Sequence, residues 1–111
     1  MAVHVHRVTV RGRFERLDDE TRADLVADAD AHDHLHAAFT QDGTLTYDMR
    51  TGFFSLRYEL RTDDEDGVAS DPMVLGERRA ADELRRAGLP HGRLRVTATD
   101  MADLWVDREL G

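Results

Sequence analysis

Three of the chain's six histidines fall at alternate positions of "ADADAHDHLHAAFT" (residues 27–40), as His32, His34 and His36. Counting from Leu25 at about 100° per residue, His32 lies at about 340° and His36 at about 20°, on the stripe that also carries Ala29. His34, at about 180°, faces water. Two chemistries suit this spacing. A His-x₃-His pair on a helix, met by His4 and His6 at the start of a strand, offers up to four imidazoles to zinc, copper or iron. His32 alone, oriented by Asp33 or by the hydroxyl of Tyr47 or Tyr58, is instead a general acid–base with a suitable intrinsic pKa. The plain alternative is a set of partly buried, hydrogen-bonded polar residues, with His4 and His6 frayed at the terminus. His4 and His6 fit that alternative best, and His36 is balanced between the two. A buried imidazole needs a partner, and His32 has several within reach.

These residues must be held by regular elements. "HVHRVTVRGRF" alternates and is rich in valine, which predicts a strand from Val3 to Phe14. Asp18 caps a helix whose first turn carries Asp19 and Glu20, and Leu25, Val26, Ala29, His32 and His36 follow at helical spacing. "TLTYDM" and "FFSLRYELR" read as two strands around the turn "RTG". Asp71 and Pro72 open a second helix marked by Met73, Val74, Glu77, Ala81 and Leu84, with Gly88 available for its left-handed ending. "RLRVTAT" (93–99) is the last strand, and residues 100–111 form a capping tail.

The order β-α-β-β-α-β predicts a single α+β domain over residues 1–111. The plan is ferredoxin-like, a four-stranded antiparallel sheet with both helices on one face and strands 1 and 3 central. Period-two reading turns Val8, Val10, Phe54, Leu56, Tyr58, Leu60, Val96 and Ala98 toward the helices. It leaves Arg7, Thr9, Arg11, Phe53, Ser55, Arg57, Glu59, Arg61, Arg95, Thr97 and Thr99 on the helix-free face. A half-wet sheet explains that row plainly. A cavity for an anionic or carbonyl-bearing small molecule, closed over by a second subunit, explains it functionally. Arg57 and Arg11 are then the anchors, and Phe53 and Trp105 the apolar contacts at the ligand and the dimer interface.

Composition narrows the classes. A net charge of −8 argues against nonspecific nucleic-acid binding, and no apolar run is long enough to span a bilayer. The absence of cysteine removes disulfides and thiolate chemistry, and the absence of lysine removes Schiff-base catalysis. "MAVHVHRVTV" has neither the basic nor the apolar region of a secretory signal, so cytoplasmic residence is expected.

"VTVRGRF", "HAAFTQDGTLTYD", "FFSLRYE" and "ATDMADLW" resemble a family of small single-domain actinobacterial proteins of no assigned function. The resemblance supplies no catalytic residues. Its pattern includes the "HD" of His32 and Asp33 but not His4, His6, His34 or His36, which favours His32 over a metal cluster. In architecture the chain is similar to dimeric α/β-barrel proteins, among them polyketide cyclases, cofactor-free monooxygenases and lactone isomerases. The resulting expectation is a homodimer doing cofactor-independent cyclisation, isomerisation or dehydration, with His32 as acid–base and Tyr47 and Asp100 in support. A ligand-sensing or dimerising module is the second expectation. A metal protein using His4, His6, His32 and His36 is the third.

Overall fold

A computed structural model of the chain describes residues 3–33, 38–48, 50–63 and 71–101. His34, His36, Met49, the acidic stretch 64–70, Leu104 and Trp105 lie outside them. The elements are β1 (Val3–Arg13), α1 (Asp19–Ala27), a 3-10 turn (Ala29–His32), β2 (Thr44–Tyr47), β3 (Phe53–Asp63), α2 (Pro72–Arg86) and β4 (Arg95–Asp100). The strands form one open antiparallel sheet in the order β2-β3-β1-β4. Strands β1 and β3 are therefore central, as the order of elements predicts, and the class is α+β. No helix among the described residues is long and apolar enough to cross a membrane.

Register sorts the side chains. Val8 stands between Tyr58 and Ala98, and Val10 between Leu56 and Val96. Val8, Val10, Leu56 and Tyr58 are almost wholly buried, in one cluster with Leu25 and Ala29 from the first helical segment and Ala80 and Leu84 from α2. Alternation along the same strands sends the arginines, Phe53 and the small hydroxyl residues to the other side. The two-face division expected from the sequence is the observed one.

Two helical details differ from the periodicity. The first helix stops at Ala27, and the chain tightens into the 3-10 turn before becoming extended at Asp33. Asp28, Asp30 and Asp33 are poor helix formers placed where the negative end of the helix dipole repels carboxylates, and no basic residue in the last turn offsets them. At the other end Asp18 caps the helix by accepting from the Thr21 N–H at 2.7 Å. Hydrogen bonding from the Thr21 side chain, together with that backbone bond, holds the Asp18 carboxyl below its ordinary value.

Helix α2 faces the sheet with Leu84, as expected, but its earlier buried positions differ from the expected stripe. Gly76, Ala80 and Leu84 are its buried residues, while Met73 and Val74 are 45% and 47% exposed. A Cβ on Gly76 would come within 2.6 Å of Val8 Cγ1, so the helix approaches β1 more closely than any side chain would permit. The large residues Met73 and Val74 are turned out by that close approach. The helix ends as its sequence implies, with Gly88 at φ 70° and Leu89 N–H donating back to the Leu84 carbonyl at 2.9 Å.

Candidate functional site

His32 comes to rest against the edge of β2. Its ring stacks on Tyr47, centroids 5.2 Å apart and planes at 24°. Its Nδ1 lies 2.9 Å from the Leu45 carbonyl oxygen. A carbonyl only accepts, so Nδ1 carries the proton and a neutral His32 presents Nε2 as its acceptor. The orienting partner is thus a backbone carbonyl and an aromatic face, not a hydroxyl. Tyr47 OH is committed elsewhere, donating to the Leu25 carbonyl at 2.6 Å. Burial, aided by the Asp28 carboxylate, raises the Tyr47 pKa.

The expected histidine convergence does not form. Because α1 ends early, His32 lies beside Leu45, whose partner in β3 is Leu56 and, beyond it, Val10 in β1. His6 and the His4 backbone pair with Leu60 and Thr62, at the opposite end of β1. His36 lies outside the described residues. Among the described residues no group of three or more His, Asp or Glu is placed to hold a metal ion. Asp100 is likewise remote from His32. It stands opposite His6, six residues along β1 from Gly12, which partners the Phe54 beside Tyr47. Six residues of strand span about 20 Å. Asp100 does not support His32.

Two open clefts adjoin at Phe53, Phe54 and Ser55. The first, about 430 Å³, wraps the β2 edge and is lined by Asp30, Asp33, Tyr47, Asp48 and Arg57. It brings together Tyr47, Arg57 and Phe53 of the expected set, with His32 behind Tyr47. The Arg57 guanidinium is partly used, donating from Nη1 to Thr46 Oγ1 at 2.9 Å.

The second cleft, about 550 Å³, opens on the helix-free face between Arg11, Arg13, Arg93 and Arg95, with Glu15 on its rim. Arg11 and Arg95 are direct cross-strand partners. Like charges in that relation repel across roughly 5 Å between Cβ atoms. Among the described residues neither makes an ion pair or hydrogen bond. Arg13 lies opposite Phe53, its guanidinium 5.5 Å from the ring centroid. Phe53 is 65% exposed. It follows the hairpin residue Thr51, buried at φ 51°, where a β-branched residue is seldom found.

Arg11 and Phe53 were thus legible as a pair from alternation alone. Arg13, Arg93 and Glu15 were not singled out. Arg13 continues the period-two series of Arg7 and Arg11, a signal present in the sequence. Arg93 opens the period-two series of the expected strand 93–99, although the observed strand begins at Arg95, and Glu15 sits outside the strands, where no periodicity marks it. Among the residues whose side chains are described, six arginines (Arg7, Arg11, Arg13, Arg57, Arg61 and Arg95) share the helix-free face with Glu59. An acidic protein therefore carries a basic face.

The model of a family of unknown function matches residues 1–110, nearly the whole chain. No curated protein and no solved structure matches.

Proposed function

The chain belongs to the family of unknown function DUF6204, a membership that brings no inherited activity, and we propose that it is a small-molecule-binding protein whose ligand is an anion held on the helix-free face. One observation carries this reading: Arg11 and Arg95, directly opposed across two strands, share a cleft with Arg13 and Arg93. Gathering four like charges costs a little stability that a bound anion would offset, and guanidinium forks suit carboxylate and phosphate oxygens. The cleft volume falls in the range of small-molecule sites. Phe53 supplies an apolar wall.

Acid–base chemistry in the neighbouring cleft is the second reading, favoured by the fixed tautomer of His32 and its Nε2 acceptor. A ligand anchored by Arg11 and Arg13 and reaching past Phe53 would approach that side of the sheet. The binding role stands without it.

The strand order fits the ferredoxin-like plan, in which a second copy commonly closes the open face. Here such a copy would confront six arginines with six more. Face-to-face pairing in this reading follows anion binding, once the charge on both faces is neutralised. The dimer is ligand-dependent.

Calorimetric titration with inorganic tripolyphosphate tests the site. The expected result is binding that Arg11→Gln and Arg95→Gln abolish and His32→Asn leaves intact, since asparagine can still donate to Leu45. Sedimentation in the same titration should show dimer only with the anion present. Absence of binding by the unaltered protein at millimolar anion, or equal binding by Arg95→Gln, overturns the proposal.

A further inference from the structure

Resting on the anion site just described, we infer that its ligand is a free nucleotide, with phosphates on the arginines and the base stacked on Phe53. Three features narrow the class. The first is the aromatic ring. Phe53 stands in β3 next to four guanidinium groups, with Arg13 over the ring and 65% of the residue still open to solvent. A planar π-system is the partner such a ring receives from solution. An inorganic anion or a short-chain acid leaves it bare.

The second feature is Glu15. Its carboxylate lies on the rim of the same cleft, packed against Gly92. Hydrogen bonds from Glu15 N–H to the Pro90 carbonyl (3.0 Å) and from Gly92 N–H to the Arg13 carbonyl (3.0 Å) fix that backbone crossing. A carboxylate repels a bare polyphosphate. It accepts from the hydroxyl groups of a ribose or the exocyclic amine of a base. A ligand with both an anionic end and a donor-bearing end satisfies the arginines and Glu15 together.

The third feature is where the uncommitted cations lie. Arg7 rests over Phe39, 5.2 Å from the ring centroid, and Arg57 is bonded to Thr46. Arg61 stands apart, opposite Val5 at the far end of β3, whereas Arg11, Arg93 and Arg95, without such contacts, line one cleft together. A single strand of nucleic acid needs cations that track along the face, and a chain of net charge −8 repels a long polyanion. A compact di- or triphosphate matches that cleft. The base then lies one strand over, on β3.

Calorimetry comparing ADP, inorganic pyrophosphate, adenosine and a short oligothymidylate separates the possibilities. ADP should bind roughly tenfold tighter than pyrophosphate, within what stacking on an aromatic contributes. Phe53→Ala should erase that margin and leave pyrophosphate affinity unchanged, and Phe53→Trp should restore it. Glu15→Gln should weaken ADP and strengthen pyrophosphate. Equal affinity for ADP and pyrophosphate in both the unaltered protein and Phe53→Ala overturns the nucleotide while leaving the anion site standing. Failure of pyrophosphate and ADP alike removes both. Tighter binding of the oligothymidylate, displacing ADP, replaces the free nucleotide with a single strand.

Discussion

The two faces of one sheet are built from the same four strands, yet they are held by opposite rules. On the covered face nearly every group has a partner: Val8, Val10 and Leu56 fill the contact with α2, Tyr47 donates to Leu25, and His32 donates to Leu45. On the open face Arg11 and Arg95 oppose each other and Phe53 stands largely in solvent. One surface is optimised for the folded state, and the other carries side chains that folding does not require. Residues that the fold does not need are the ones to examine for function.

Truncating one large apolar residue on each face should give the largest contrast. Leu84 is 1% exposed and packs from α2 onto the sheet. Leu84→Ala should lower unfolding free energy by about 2–5 kcal/mol, the cost of deleting a buried leucine and leaving a void. Phe53→Ala removes a larger group, yet should change stability by roughly 0.5 kcal/mol or less, as for other exposed positions. Urea unfolding of the two variants measures the pair. A Phe53 cost approaching that of Leu84 would mean that the open face is covered in solution.

The strands, their faces and their order were legible because alternation is a local signal that tertiary contacts seldom overrule. Asp71, Pro72, Gly88 and Leu89 likewise marked both ends of α2 correctly. What was not legible depended on distances between elements. Gly76 turned α2 by letting it sink onto Val8, an effect visible only once helix and strand are brought together. The run of aspartates that ends α1 was in plain view, but its consequence was spatial: His32 went to the β2 edge instead of the end of β1 that holds His6. The arginine cleft was half legible. Arg11 and Arg95 follow from alternation, whereas their direct opposition needs the register of β1 and β4.

The second contrast is read in alkali. Tyr58, on the covered face, is 1% exposed, and among the described residues its hydroxyl has no hydrogen-bond partner. Burial, with a contribution from the Glu83 carboxylate, pushes its pKa up to about 12, against about 10 in an unfolded chain. The folded state keeps this proton over a range where the unfolded state has lost it. Stability from this group is complete below about pH 10 and declines as pH rises toward 12, a loss on the order of 2–3 kcal/mol. The chain has no lysine or cysteine, so Tyr47, raised in the same direction, is the other side chain expected to contribute there. Urea unfolding across this range, with tyrosinate absorbance recorded in parallel, should show the decline. Tyr58→Phe should flatten most of it and leave stability at neutral pH nearly unchanged, because the hydroxyl it removes is unsatisfied. A variant that loses stability at neutral pH while keeping the full alkaline slope would show that the hydroxyl is bonded after all.

The smallest expected effect lies on the open face and has the opposite sign. Arg11 and Arg95 are both exposed, so their repulsion is weak, of the order of a few tenths of a kcal/mol for like charges directly across a strand pair. Arg95→Gln removes the charge while keeping most of the stem and its polar tip. In low salt this variant should unfold at a slightly higher temperature than the unaltered protein. The difference should shrink as salt rises, because at about 1 M the screening length falls to roughly 3 Å, inside the separation of the two groups. A substitution that stabilises the free protein and abolishes anion binding marks a residue kept for its ligand. If Arg95→Gln instead lowers stability at every salt concentration, the guanidinium is a structural contact, and the open face obeys the same rule as the covered one.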